Sequence, residues 1–219
     1  MAKKLTKGIF IAFEGPEGSG KSTHSRRIHE DLLSQGYDVI HTAEPGGTNL
    51  GEKLRGILLG YGAAPISVVQ KAELLLFEAD RAQHVAEVIL PALEAKKIVL
   101  CDRFNVATFA YQGYGLGMDL KKIEEIDSMA TGGLEPDLTL LMDIDTATGL
   151  ARATANHPAD KMEKRGNEFH VKVRQGYLEL AKRFSDRISV IEVKDDKDKT
   201  YELVREAVYG LIERYTGTG

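Results

Sequence analysis

Gly8-Ile9-Phe10-Ile11-Ala12-Phe13-Glu14-Gly15-Pro16-Glu17-Gly18-Ser19-Gly20-Lys21-Ser22-Thr23 passes from an apolar run straight into a glycine-rich loop. The run reads as a strand buried on both faces. Gly15 to Ser22 then match G-x-x-x-x-G-K-[ST], and an amphipathic segment follows in which Ile28, Leu32 and Leu33 form one stripe before Gly36. Each residue type has its own reason to be there. Glycines admit positive φ and let backbone N–H groups close on phosphate oxygens, while the helix behind them aims its positive end at the same anion. Lys21 adds a point charge near the β and γ oxygens, and the Ser22 hydroxyl is a ligand for Mg²⁺. Gly15, Pro16, Glu17, Gly18, Ser19, Gly20, Lys21, Ser22 and Thr23 are therefore the expected nucleoside triphosphate cradle. A glycine turn that merely caps a helix would not require the lysine and hydroxyl in this order.

Outward from this stretch, short apolar runs alternate with longer amphipathic segments. Strands are expected at 8–14, 37–42, 97–101, 138–143 and 188–193. Helices are expected at about 21–35, 50–59, 66–95, 120–131, 146–154, 166–184 and 198–215, with Pro91 kinking the longest near its end. This alternation predicts an α/β fold: a doubly wound, five-stranded parallel sheet flanked by helices, with its ligand crevice at the carboxyl ends of the strands. No repeat or linker divides the chain, so one domain over 1–219 is expected. The segment 155–165 is polar and charge-dense, readable as a short lid or as a solvated loop.

Composition excludes several classes. Hydrophobic residues make up 42% and charged residues 28%, with a net charge of −4, so phosphate recognition must come from local cations and no nucleic-acid partner is expected. No run approaches membrane-spanning length, and Met1 to Phe13 lack the apolar core of a signal peptide. The single cysteine, Cys101, cannot form an intrachain disulfide. A cytoplasmic protein without membrane partners is the expectation.

The loop establishes triphosphate binding but not the reaction. Neither N-K-x-D nor L-S-G-G-Q occurs, which leaves a small phosphotransferase or a nucleotide-binding module. Four further segments narrow the choice: Glu44-Pro45-Gly46-Gly47-Thr48, Phe77-Glu78-Ala79-Asp80-Arg81, Asp102-Arg103-Phe104, and Thr108-Phe109-Ala110-Tyr111-Gln112-Gly113. Phe77 and Arg81 share a helix face, able to stack a pyrimidine and donate to its oxygen, or equally to serve as a core ring beside a salt-bridging arginine. If the last segment is helical, Thr108, Tyr111 and Gln112 fall on one face. Asp102 ends an apolar strand at the ligand edge, where a carboxylate can hold Mg²⁺.

In this order and spacing, with Glu17 inside the phosphate loop, the segments resemble those of thymidylate kinases from the loop to about Tyr177. The resemblance implies a P-loop kinase that moves the γ-phosphoryl of ATP to dTMP with Mg²⁺, as a homodimer whose long 66–95 helix contributes to the contact. It implies thymine stacking for Phe77 and a base hydrogen bond for Arg81. Thr108 and Gln112 would lie along the pyrimidine edge, Pro45 against the base, and Tyr111 beneath the sugar. Glu17 would meet the 3′-hydroxyl, Arg55 and Arg103 the acceptor phosphate, and Arg152 the adenine. Transfer to a phosphate needs charge neutralisation rather than a general base. Lys21, Arg103 and a lid group, with Lys161 ahead of Lys164 and Arg165, carry that burden.

The chain departs from the family in two places. Ala43 stands where relatives often carry arginine, and Asp160-Lys161-Met162-Glu163 stands where an Asp-Arg-x-Glu context is usual. A kinase for UMP, dCMP or a deoxynucleoside, and a regulatory nucleotide-binding module, remain open at this point. Thymine differs from uracil by one methyl, worth only about 1–3 kcal/mol in an apolar pocket.

Overall fold

In the computed structural model, which describes residues 3–60, 66–155 and 159–216, five strands form one parallel sheet. The strands are β1 (Ile9–Glu14), β2 (Val39–Ala43), β3 (Ile98–Asp102), β4 (Leu138–Asp143) and β5 (Ile188–Glu192), in the order β2-β3-β1-β4-β5. The order reverses at β1, so the crevice beyond the carboxyl ends of β1, β3 and β4 is the topological switch point.

Side-chain alternation explains why helices cover both faces. Ile9, Ile11 and Phe13 of β1 join Ile98, Leu100, Leu140 and Met142 in one core against α1 (Lys21–Ser34) and α9 (Lys197–Ile212). Phe10 and Ala12 point the other way, with Val99 and Cys101, towards Val85, Ile89 and Ala92. Leu141 faces a third cluster with Val173, Tyr177 and Leu180 of α8 (Asn167–Arg183). Each fully buried aliphatic or aromatic chain contributes about 1.5–3 kcal/mol relative to exposure.

Helix ends follow local chemistry. The Thr48 side chain accepts from Gly51 N at the start of α2 (Asn49–Leu59), and Asp119 caps α6 (Leu120–Thr131) while Gly132 closes it at φ 64°. Asp145 accepts from Ala147 N and Thr148 N to start α7 (Thr146–Thr154).

The expected helix 66–95 is modified. Residues 66–69 are not helical, and 61–65 lie outside the described residues. α3 (Gln70–His84) runs through a π-helical turn (Val85–Ile89) into α4 (Leu90–Glu94), without a break in right-handed backbone geometry. Pro91 lacks an N–H, and the wider turn just before it absorbs the mismatch that a regular helix would suffer. The segment after β3, considered as a helix from its sequence, is one: α5 (Asn105–Thr108) continues into a π-helical turn (Phe109–Gly115).

Candidate active site

The glycine-rich loop joins β1 to α1. Gly20 (φ 88°) precedes α1, and α1 carries no side-chain cap, so its first-turn N–H groups suit an anion. Gly18 has φ 66°, and a Cβ there would collide with the Gly149 carbonyl of α7. Lys21 is 6% exposed, its Nζ donating to the carbonyls of Gly15 (3.0 Å) and Pro16 (2.8 Å). Burial, then the nearby Arg103 charge, push its pKa down to about 8 against the pull of Glu17 and Asp102. The Ser22 hydroxyl donates to the Asp102 carboxylate at the end of β3, so the two oxygen donors meet at one point.

Arg103, the next residue, has φ 73°, a left-handed conformation that typically costs a non-glycine residue about 1–3 kcal/mol. Its N–H donates to Phe13 O, and its carbonyl accepts from Cys101 Sγ at 2.9 Å. The turn sends its guanidinium across the loop, donating to Glu17 Oε1 (2.8 Å), Gly15 O (3.3 Å) and the Tyr177 hydroxyl (3.3 Å). Tyr111 also donates to Glu17 Oε1, at 2.7 Å. Burial alone would raise the Glu17 pKa, but the combined pull of Arg103, Lys21 and Tyr111 holds it at about 2. Glu17 is thus an anchored carboxylate rather than a free loop charge.

Glu14, which ends β1, is fully buried. Its Oε1 accepts from Phe104 N (2.8 Å) and Ala107 N (3.1 Å), and its Oε2 accepts from Tyr177 (2.9 Å). A carboxylate remote in sequence thereby caps α5 and fixes the segment carrying Thr108, Tyr111 and Gln112.

Arg81 of α3 is 2% exposed and uses its whole fork. Nε donates to Glu44 (3.0 Å), Nη1 to Glu78 (2.6 Å) and Asp127 (3.4 Å), and Nη2 to Phe104 O and the Thr108 hydroxyl (both 3.1 Å). Burial works against its charge, yet Glu78, Glu44 and Asp127 raise its pKa above the usual value. The surrounding acids rise too. Burial pushes Asp127 up to about 6, and burial with Glu44 pushes Asp80 up to about 7. Arg55 donates to Pro45 O at 2.7 Å, and the Glu44–Pro45 peptide bond is cis.

One cleft of about 1030 Å³ brings together most of the residues singled out by sequence. Its lining includes Glu17 to Thr23, Pro45, Arg55, Phe77, Arg81, Asp102, Arg103, Thr108, Tyr111, Gln112 and Arg152. Gly15 and Pro16 are buried behind it, supplying carbonyls to Lys21. Of the expected lid 155–165, residues 156–158 lie outside the described residues. Asp160, Met162 and Glu163 line the cleft. Lys161 is not among the lining residues: its Nζ lies 3.5 Å from Glu73 of α3, and its backbone N–H donates to Leu59 O.

Sequence reading missed Glu14, Glu73, Tyr177 and the stretch after β5, where Val193, Lys194, Asp195 and Thr200 line the cleft near Arg152. Arg152 Nη2 donates to Asp195 at 3.4 Å. Glu14 had a signal, an acid closing an otherwise apolar strand; Tyr177 and Glu73 had none beyond ordinary helix positions.

A family model described as thymidylate kinase matches residues 13–204. A thymidylate kinase of Pelotomaculum thermopropionicum is 48% identical over 212 residues, covering 95% of this chain and 96% of that protein. One of Pseudomonas putida is 43% identical over 210 residues, covering 96% and 99%. Among solved structures, thymidylate kinase from Ehrlichia chaffeensis superposes with a TM-score of 0.74 at 34% identity, over 92% of this chain and 99% of that chain.

Proposed function

This chain belongs to the thymidylate kinase family, and from that premise we propose how its cleft carries the γ-phosphoryl group of ATP to dTMP. The reaction gives dTDP and ADP and serves dTTP synthesis. The observation that carries the arrangement is the three-way contact of Glu17, Arg103 and Tyr111, which joins the phosphate loop to the acceptor segment.

On the donor side, backbone N–H groups from Glu17 to Thr23 hold the triphosphate, and Lys21 exchanges its loop carbonyls for phosphate oxygens. Arg152 stacks on the adenine from α7. On the acceptor side, Phe77 stacks on thymine, Pro45 walls the base, and Thr108 and Gln112 lie along its edge. Every N–H of Arg81 is already engaged, so a base carbonyl shares the Nη2 donors with Phe104 O and Thr108. Glu17 meets the 3′-hydroxyl, Tyr111 fills the space a 2′-hydroxyl would need, and Arg103 with Arg55 takes the acceptor phosphate. Arg55 substitutes for the cation that Ala43 lacks. The dianionic acceptor needs no general base, so the protein's work is alignment and neutralisation by Lys21, Arg103 and a lid cation. Lys161, set beside Glu73, is that lid cation; Lys164 and Arg165 are its alternates.

Ser22 and Asp102 fit Mg²⁺: both are hard oxygen donors, and they already converge beside the loop. When bound, the ion neutralises charge on the β and γ oxygens. The three clusters packed on one sheet support a single kinase domain over 1–219 with its lid at about 155–165. Leu75 on α3 and Met129 on α6, exposed apolar side chains on two helices that pack together, support a homodimer. No helix among the described residues is long and apolar enough to cross a membrane. The buried free thiol of Cys101 supports a cytoplasmic setting.

ADP release measured across a panel of nucleoside monophosphates tests the acceptor. Highest kcat/KM with dTMP is expected, with some dUMP activity. Preference for UMP or dCMP would overturn the base-pocket reading, and no turnover would return the chain to a binding module.

A further inference from the structure

Glu73 lies in the first turn of α3, with 1% of its side chain exposed. Its Oε1 accepts from Gln112 Nε2 at 3.1 Å and from Arg165 Nη2 at 2.8 Å. Its Oε2 accepts from the same Arg165 nitrogen at 2.8 Å and lies 3.5 Å from Lys161 Nζ. One buried carboxylate therefore gathers partners from two places: two cations from the lid segment and an amide from the acceptor wall. A second path runs alongside. The Arg165 guanidinium lies 4.8 Å from the Phe169 ring centroid, and that ring is 6.0 Å from Tyr111.

The charge arithmetic makes this junction sensitive. At this junction one carboxylate faces two cations and offsets their mutual repulsion. Without it, two like charges would face each other in a partly dehydrated site and separate. Any displacement of Gln112 also withdraws one of the hydrogen bonds that fix Oε1.

We propose that Glu73 is a positioning residue that ties the lid cations Lys161 and Arg165 to Gln112 in the acceptor pocket, coupling lid placement to the acceptor base. This rests on the reading that a lid cation assists transfer. Acceptor and lid then respond to one another through a group that touches neither substrate.

The test is a double-mutant cycle on the full chain, read as kcat and as KM for dTMP and ATP separately. Glu73→Gln keeps the side-chain shape and removes the charge. We expect it to lower kcat about tenfold or more while the KM for ATP moves less than threefold, and Glu73→Asp to recover part of the loss. Combined with Arg165→Ala, the loss should be no greater than that of the worse single variant. Additive losses, or wild-type kcat in Glu73→Gln, would overturn the coupling. Should Glu73→Gln fail to fold, the pair Arg165→Ala and Gln112→Ala takes its place. Non-additivity of threefold or more in kcat/KM for dTMP is expected, and additivity refutes the proposal. Wild-type rates in both Lys161→Ala and Arg165→Ala would instead remove the lid reading itself, a different result from an additive cycle.

Discussion

Replacing Arg81 with lysine keeps the charge and changes the geometry, and the structure fixes what that should cost. The guanidinium serves five acceptors on four segments: Glu44, Glu78, Asp127, Phe104 O and Thr108. An ammonium has three donors on one atom and no fork. Placed to satisfy Glu44 and Glu78, it leaves the Phe104 carbonyl and the Thr108 hydroxyl without their charged donor. Each buried acceptor so orphaned costs about 1–3 kcal/mol. The loss for Arg81→Lys should therefore reach about 2–6 kcal/mol, the sum over those two acceptors. For a chain of this size each kcal/mol lowers Tm by about 2–4 °C, so a fall of roughly 10 °C is expected in a circular-dichroism melt. Lys53→Arg, at an exposed position of α2, serves as control and should stay within about 0.5 kcal/mol. A loss for Arg81→Lys below about 1 kcal/mol would refute the view that this fork organises the acceptor wall.

Three other expectations are open to direct measurement. Lys21→Ala should lower turnover at least about a hundredfold, since one aligned charge-stabilising group is worth roughly 3–4 kcal/mol of barrier; retention of more than a tenth of the activity would exclude its role. Alanine at Lys161, Lys164 and Arg165 in turn should reduce kcat about tenfold or more at one site at least, and unchanged steady-state rates at all three would leave the lid without a catalytic part. Asp80, raised to about 7 chiefly by burial, keeps in the folded state a proton that the unfolded chain releases near its ordinary value. Its stabilising contribution is present below that window and is lost as pH rises through 7. Between pH 6 and 8 the wild type should lose about 1.4 kcal/mol more stability than Asp80→Asn, and equal urea-unfolding free-energy changes in the two proteins would contradict this.

Much of the architecture was legible because its signals are local. Asp119 with Gly132, and Asp145 with the apolar spacing behind it, mark α6 and α7 at the bounds the structure has. The central strands stand out because β1 and β3 are buried on both faces and read as nearly unbroken apolar runs, whereas β2 and β5 at the sheet edges are only partly buried. The departures arise where tertiary packing decides. The long 66–95 segment starts later than its apolar periodicity suggests, and a π-helical turn precedes Pro91. Residues 109–115 are helical because Glu14 caps α5 from another strand and the segment packs against α8, neither of which neighbouring residues announce. The cleft residues were legible as types, and the structure brings them to one wall. What their spacing could not disclose is that Arg81 spends its donors on three carboxylates, or that Lys161 rests on Glu73. A polar segment without apolar periodicity has its position set by partners far away in the chain.

Asp102 and Arg103 are consecutive, yet they reach different partners, one Ser22 and the other Glu17 and Tyr177. In the proposed arrangement, the span between the two phosphates is therefore gauged by a single peptide unit, about 3.8 Å between Cα atoms. Covalent geometry, unlike a hinge between bodies, cannot drift with temperature or lid motion. A one-residue slip of β3 would put Arg103 where Asp102 stands and Phe104 where Arg103 stands, misaligning both nucleotides at once, which makes the strand's register a caliper for the reaction.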